Sequence, residues 1–207
     1  SIRRQRQMCI RDSYWMDYWP TNFLYFCDVA LLMGLVAVWT ERPIWAAAPA
    51  VGIVLPQTFW IVDFLGSALG LPMTGITVYM FKAEIPLFTR GLSFFHFWLP
   101  FFLLYLVWRL GYDRRAFRVW TLVSWCLLLV CYFLMPGPPA PSDNPHLPVN
   151  INYVYGLSDK AAQTWLPGPV YFAALLIALP GVVFYPTHLL LLRCFCKPCP
   201  AGMRSST

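Results

Sequence analysis

Apolar runs of about twenty residues, the length of helix that spans the roughly 30 Å hydrocarbon core of a bilayer, recur along the chain between short polar or proline-rich breaks. Six such runs are legible, at residues 22–39, 44–65, 71–87, 91–110, 117–135 and 170–192. Pro20 opens the first run and Glu41-Arg42-Pro43 closes it, proline being tolerated at a helix start because that N–H has no partner in any case. The second carries Pro49, Pro56, Gln57, Thr58 and Asp63, which predicts a kinked helix facing protein rather than lipid. The third is the weakest: Lys82 and Glu84 interrupt it, so it is expected to be short, tilted or re-entrant. Between the last two runs lies a loop of about thirty residues, 137–168, rich in Pro, Asn and Gly, and loops that long are usually functional or disordered. The pattern predicts an all-α polytopic membrane protein, a six-helix bundle with proline-kinked helices and no internal repeat.

Composition narrows the picture. The 207 residues are 59% hydrophobic, 18% aromatic and 12% charged, with a mean hydropathy of +0.57. Soluble domains carry about 25% charged residues, so this surface suits lipid, and membrane lipids are the expected partners. One integral membrane domain over residues 14–207 is expected, with the oligomeric state open. The net charge of +6 does not point to nucleic acid, because the basic residues flank apolar runs as the positive-inside bias requires. Six spans with both termini cytoplasmic put Arg109, Arg114, Arg115, Arg118, Arg193, Lys197 and Arg204 inside, against Arg42, Lys82, Arg90 and Lys160 outside. A bacterial inner membrane is the expected location. The segment Met8-Cys-Ile-Arg-Asp-Ser13 resembles a translated transposon end, so residues 1–13 are expected to be a non-native leader.

Seven cysteines, an odd number, imply no disulfide framework, and Cys126 and Cys131 fall inside an apolar run where they pack as small hydrophobes. Cys194, Cys196 and Cys199 supply only three thiolates, which reads as a juxtamembrane tail, and no metal site is expected. Ionisable groups inside apolar spans are expensive and mark function by default. Cys27, Asp28, Asp63 and His96 are those groups here. A buried thiol is inert until a base takes its proton, and His96 is the one imidazole in the middle of the runs. Pro100, four residues on, cannot donate to the His96 carbonyl, which predicts a kink that makes room for ligand or water. Cys27 and Asp28 lie 100° apart on a helix and are expected to point to different faces. Asp28 and Asp63 are alternative orienting groups for His96, while Gln57, Thr58 and Asp63 also suit interhelical hydrogen bonding, and Gln57 is in addition a candidate substrate contact. In Val149-Asn-Ile-Asn-Tyr-Val-Tyr-Gly156, the amides of Asn150 and Asn152, with Tyr153 beside them, either bind a substrate carbonyl or head group or shape a turn. His188 is expected at an interface, and His146 lies among prolines.

Three segments together, Asn22-Phe-Leu-Tyr-Phe-Cys-Asp28, Phe95-His-Phe-Trp-Leu-Pro100 and Asn152-Tyr-Val-Tyr155, resemble the transmembrane-protein-164-type integral membrane acyltransferases, related to the androgen-induced-gene lipid hydrolases. The resemblance covers residues 22–192. It implies a nucleophile and a histidine in a six-helix bundle, with Cys27 as acyl acceptor, His96 as its base, acyl chains of membrane lipids as substrate and no cofactor. The long proline-rich loop and the lack of an extra basic cluster outside depart from that family's pattern and leave the acceptor lipid open. The expected activity is transfer of an acyl chain from a lipid to a lysolipid or water. A small proton-coupled transporter using Asp28, Asp63 and His96, and a non-catalytic subunit of a membrane complex, are the alternatives.

Overall fold

Helices, turns and connecting loops make up everything that the computed structural model describes, namely residues 20–195 except 72, 84, 143–146 and 159. Residues 1–13, expected to be a leader, and His146, Cys196 and Cys199 lie outside the described residues. After a 3-10 turn at Pro20–Leu24 come α1 (Phe26–Thr40), α2 (Pro43–Ala68), α3 (Leu87–Ser93), α4 (Phe95–Leu110) and α5 (Ala116–Leu134). α6 (Gly168–Ala178) then runs through a π-helical stretch, Leu179–Phe184, into α7 (Tyr185–Phe195). Four helical stretches are long and apolar enough to cross a membrane: Pro43–Ala68, Leu87–Leu110, Ala116–Leu134 and Gly168–Phe195. α1 is a shorter apolar helix of 15 residues. The chain is thus an all-helical protein with the helices of an integral membrane protein.

The expected third span does not form one continuous helix. The described residues between 71 and 86 fold as turns and bends around the 3-10 helix Val78–Phe81, and α3 starts at Leu87 instead. The reasons are local. Gly70 and Gly75 take positive φ values of 76° and 78°, which end helical winding, and Asp63 draws the chain around its carboxylate.

Two compact units divide the described residues: those up to 30 with those of 121–182, and those of 31–120 with those from 183 on. In the second, α2 packs against α4 and α7. Ala46, Ala47, Ala48, Ala50 and Val51 are fully buried, small enough to let a neighbouring helix approach closely. Gly52 completes that face, because the space a Cβ would need there is filled by the indole of buried Trp120, whose ring meets Phe184 edge-on at 6.4 Å.

The first unit is built around Leu128, Cys131, Ile151, Val154 and Phe172. Tyr132 stacks on Phe172 at 4.0 Å and on Tyr155 at 5.3 Å. The Tyr155 hydroxyl donates to the Tyr132 carbonyl at 2.6 Å, and burial pushes its phenol pKa up. Pro180 opens the helical ladder here. It has no N–H for the Leu176 carbonyl, and the indole N–H of Trp125 donates to that carbonyl instead, at 2.9 Å.

Candidate functional site

Cys27 and Asp28 sit in the first turn of α1, where the N-terminal end of a helix favours a carboxylate. The Cys27 thiol donates to Asp28 Oδ2 at 3.7 Å. The expectation that the two face apart therefore fails. Both side chains are short and belong to adjacent residues, so rotamer choice in the first turn outweighs the 100° between their Cα–Cβ bonds.

His96 stands at the start of α4, half-buried, with Phe95 at 4.2 Å and Trp60 at 5.4 Å between ring centroids. Its partner is neither aspartate. Gln57 on α2 places Nε2 3.0 Å from His96 Nδ1. An amide NH2 only donates, so Nδ1 accepts and the ring proton sits on Nε2. Gln57 is 6% exposed, and among the described residues its Oε1 has no hydrogen-bond partner. Gln57, expected as a substrate contact, is thus the residue that orients the imidazole.

Asp63 is occupied elsewhere. Its Oδ1 accepts from the backbone N–H groups of Thr74 at 2.6 Å and Gly75 at 3.2 Å, and its Oδ2 accepts from the backbone N–H of Thr77 at 2.9 Å and from the Thr77 hydroxyl at 2.6 Å. The carboxylate, 2% exposed, is the anchor of the 73–77 turn and does not orient His96. Beside it lies an apolar cavity of about 160 Å³ lined by Leu55, Phe59, Val62 and Met73. Neither Cys27 nor His96 lines this cavity.

Asn150 and Asn152 are spent on the backbone. Asn150 Nδ2 donates to the carbonyls of Gly156 at 2.8 Å and Ser158 at 3.1 Å, and its Oδ1 accepts from Tyr155 N. Asn152 Oδ1 accepts from Phe26 N at 3.1 Å, while Nδ2 donates to Leu24 O at 2.9 Å and reaches Cys131 Sγ at 3.5 Å. Both take left-handed φ values of 53° and 57°, which asparagine tolerates better than most residues. Tyr153 is 45% exposed, with its carbonyl accepting from Tyr171. Of the two roles open to this segment, turn-shaping is the one these bonds fulfil, and it fixes the chain leading into α1.

One pair escaped the sequence reading. Tyr112, after the basic turn, meets His188 on α7 with its hydroxyl 2.6 Å from Nδ1, and Phe117 stands 5.6 Å from the same imidazole. The only hint was a lone tyrosine beside Gly111 and a lone histidine after Pro186. Among the described residues, no group of three His, Cys, Asp or Glu side chains is placed to hold a metal. No family model, curated protein or solved structure matches the chain.

Proposed function

We propose that the protein is an integral membrane lipid acyltransferase in which Cys27 accepts the acyl group and His96 serves as its base. The observation that carries this reading is the hydrogen bond from the Cys27 thiol to Asp28, a nucleophile and a carboxylate paired in the first turn of an apolar helix. The Cys27 sulfur attacks a lipid ester carbonyl as its proton passes to His96, and the departing lysolipid alkoxide takes that proton back. A lysolipid hydroxyl or water then attacks the thioester, returning the thiol. For His96 to act as base through Nε2, the Gln57 amide turns over. Its unpartnered Oε1 then accepts from Nδ1–H, leaving Nε2 with a free lone pair.

The finer features of the reading belong with it: a six-helix bundle, a bacterial inner membrane and a cytoplasmic face carrying Arg109, Arg114, Arg115, Arg118 and Arg193 with the chain termini. The carrier alternative is weakened at Asp63, which already accepts four hydrogen bonds and has little capacity left for a transported proton.

The test is acyl turnover of a labelled phospholipid in membranes holding the full chain, together with thiol labelling by an acyl-like probe. Cys27→Ala should abolish both, and His96→Ala should abolish turnover while the protein stays folded. Turnover that persists in Cys27→Ala, or labelling unchanged in Cys27→Ser, overturns the proposal.

A further inference from the structure

The turn between α4 and α5 concentrates positive charge, most of it without an ion pair among the described residues. Four arginines, Arg109, Arg114, Arg115 and Arg118, fall within ten residues and all are exposed. The sole acidic residue among them, Asp113, is taken by Arg115, whose Nε and Nη2 reach Oδ1 at 3.1 Å and Oδ2 at 2.8 Å. Among the described residues, Arg109, Arg114 and Arg118 form no ion pair.

The turn is also held in place. Asp113 Oδ1 accepts the backbone N–H of Arg115 at 2.9 Å, Gly111 supplies a φ of 92°, and Tyr112 is fastened to His188 on α7. That last bond brings α7 beside the turn, and exposed Arg193 follows His188 by five residues, about 7.5 Å of helix rise. Just before the arginines, Trp108 and Tyr105 are 61% and 55% exposed with rings 6.0 Å apart, the amphipathic aromatics that mark head-group depth. The two helices that the turn joins are both of membrane-spanning length.

We propose that Arg109, Arg114 and Arg118 form a binding surface for anionic phospholipid head groups, with Arg193 extending it. Guanidinium groups fork onto phosphate oxygens in a bidentate way, and clusters of arginine directly beyond a membrane-spanning helix concentrate acidic lipid. The aromatic pair selects lipid over a soluble anion, because it sets the arginines at the level of the phosphates. This surface lies apart from Cys27 and His96 in sequence and does not rest on the acyltransferase reading.

The test uses the full chain in nanodiscs of phosphatidylcholine with a minor fraction of phosphatidylglycerol, reading energy transfer from tryptophan to pyrene-labelled lipid. Labelled phosphatidylglycerol should be enriched several-fold over labelled phosphatidylcholine around the wild-type protein. The triple variant Arg109→Gln, Arg114→Gln, Arg118→Gln should lose most of that enrichment, and Arg42→Gln, at an exposed arginine elsewhere, should keep it. Size-exclusion profile and circular dichroism establish that the triple variant is folded. Equal enrichment in the triple variant, no lipid preference in the wild type, or displacement of the lipid by inorganic phosphate at low millimolar concentration would each overturn the proposal.

Discussion

Gln57 Nε2 lies 3.0 Å from His96 Nδ1, a side-chain hydrogen bond joining two apolar helices, α2 and α4. Interhelical hydrogen bonds in membrane proteins contribute from about 0.6 to about 2 kcal/mol. Gln57→Leu and His96→Phe should each destabilise by that order, and the double variant should cost less than the sum. A double-mutant cycle on unfolding in detergent measures the coupling, and strict additivity would mean that the bond contributes nothing.

Asp63 holds the 73–77 turn by four hydrogen bonds, two of them from buried Thr77. Asp63→Ala should cost about 3 kcal/mol, since buried donors lose a charged acceptor. Amide exchange at Thr74 and Thr77 should quicken, and limited proteolysis should cut the 69–86 segment sooner. Protection unchanged at both amides would count against the anchor.

At Gly52 the neighbouring indole of Trp120 leaves no room for a methyl group. Gly52→Ala should therefore destabilise by about 1–3 kcal/mol through overpacking. Adding Trp120→Leu should recover part of that loss, although the same change alone is destabilising. Thermal melting of the three variants checks the sign reversal.

Asn152 ties the chain at Leu24 and Phe26 to the segment before α6. Asn152→Ala removes both bonds at a left-handed backbone position and should cost about 2–4 kcal/mol. Asn152→Gly keeps the backbone conformation and loses only the bonds, so it should melt at or above Asn152→Ala. The order of the two melting temperatures is the measurement.

The guanidinium of Arg115 donating to Asp113 holds that carboxyl below the ordinary aspartate range. A carboxylate whose folded pKa is depressed contributes stability above its unfolded pKa, and loses it as pH falls through the lower folded value. Carbon-13 titration should show Asp113 still ionised where free aspartate is half protonated. Arg115→Gln should move its midpoint up toward the ordinary value.

Hydropathy alone located the helices because apolar runs of span length have few other fates, and four of the six expected runs correspond to the span-length helices. The stretch from 71 to 87 departs from its apolar pattern for a reason that hydropathy does not carry: two glycines and a carboxylate from α2 decide its path. The polar residues themselves were legible, since each stood out against its apolar surroundings. Their pairings were not. Gln57 meets His96 across thirty-nine positions, and Asn152 reaches Leu24 across 128, so only the tertiary arrangement matches donor to acceptor. Ideal Cβ directions set Cys27 and Asp28 apart, and the rotamers of the first turn bring them together.

The wide winding at Leu179–Phe184 gives the last helix a tolerance for changes in length. Stretches of this type hold a surplus amino acid within an otherwise regular rod. Trimming one residue from 179–184 should let the rod tighten to ordinary pitch while His188 continues to meet Tyr112. The same trim between Tyr185 and His188 would swing that imidazole through about 100° and out of reach. Natural insertions and deletions in this rod should therefore gather at the slack segment and be purged a turn later.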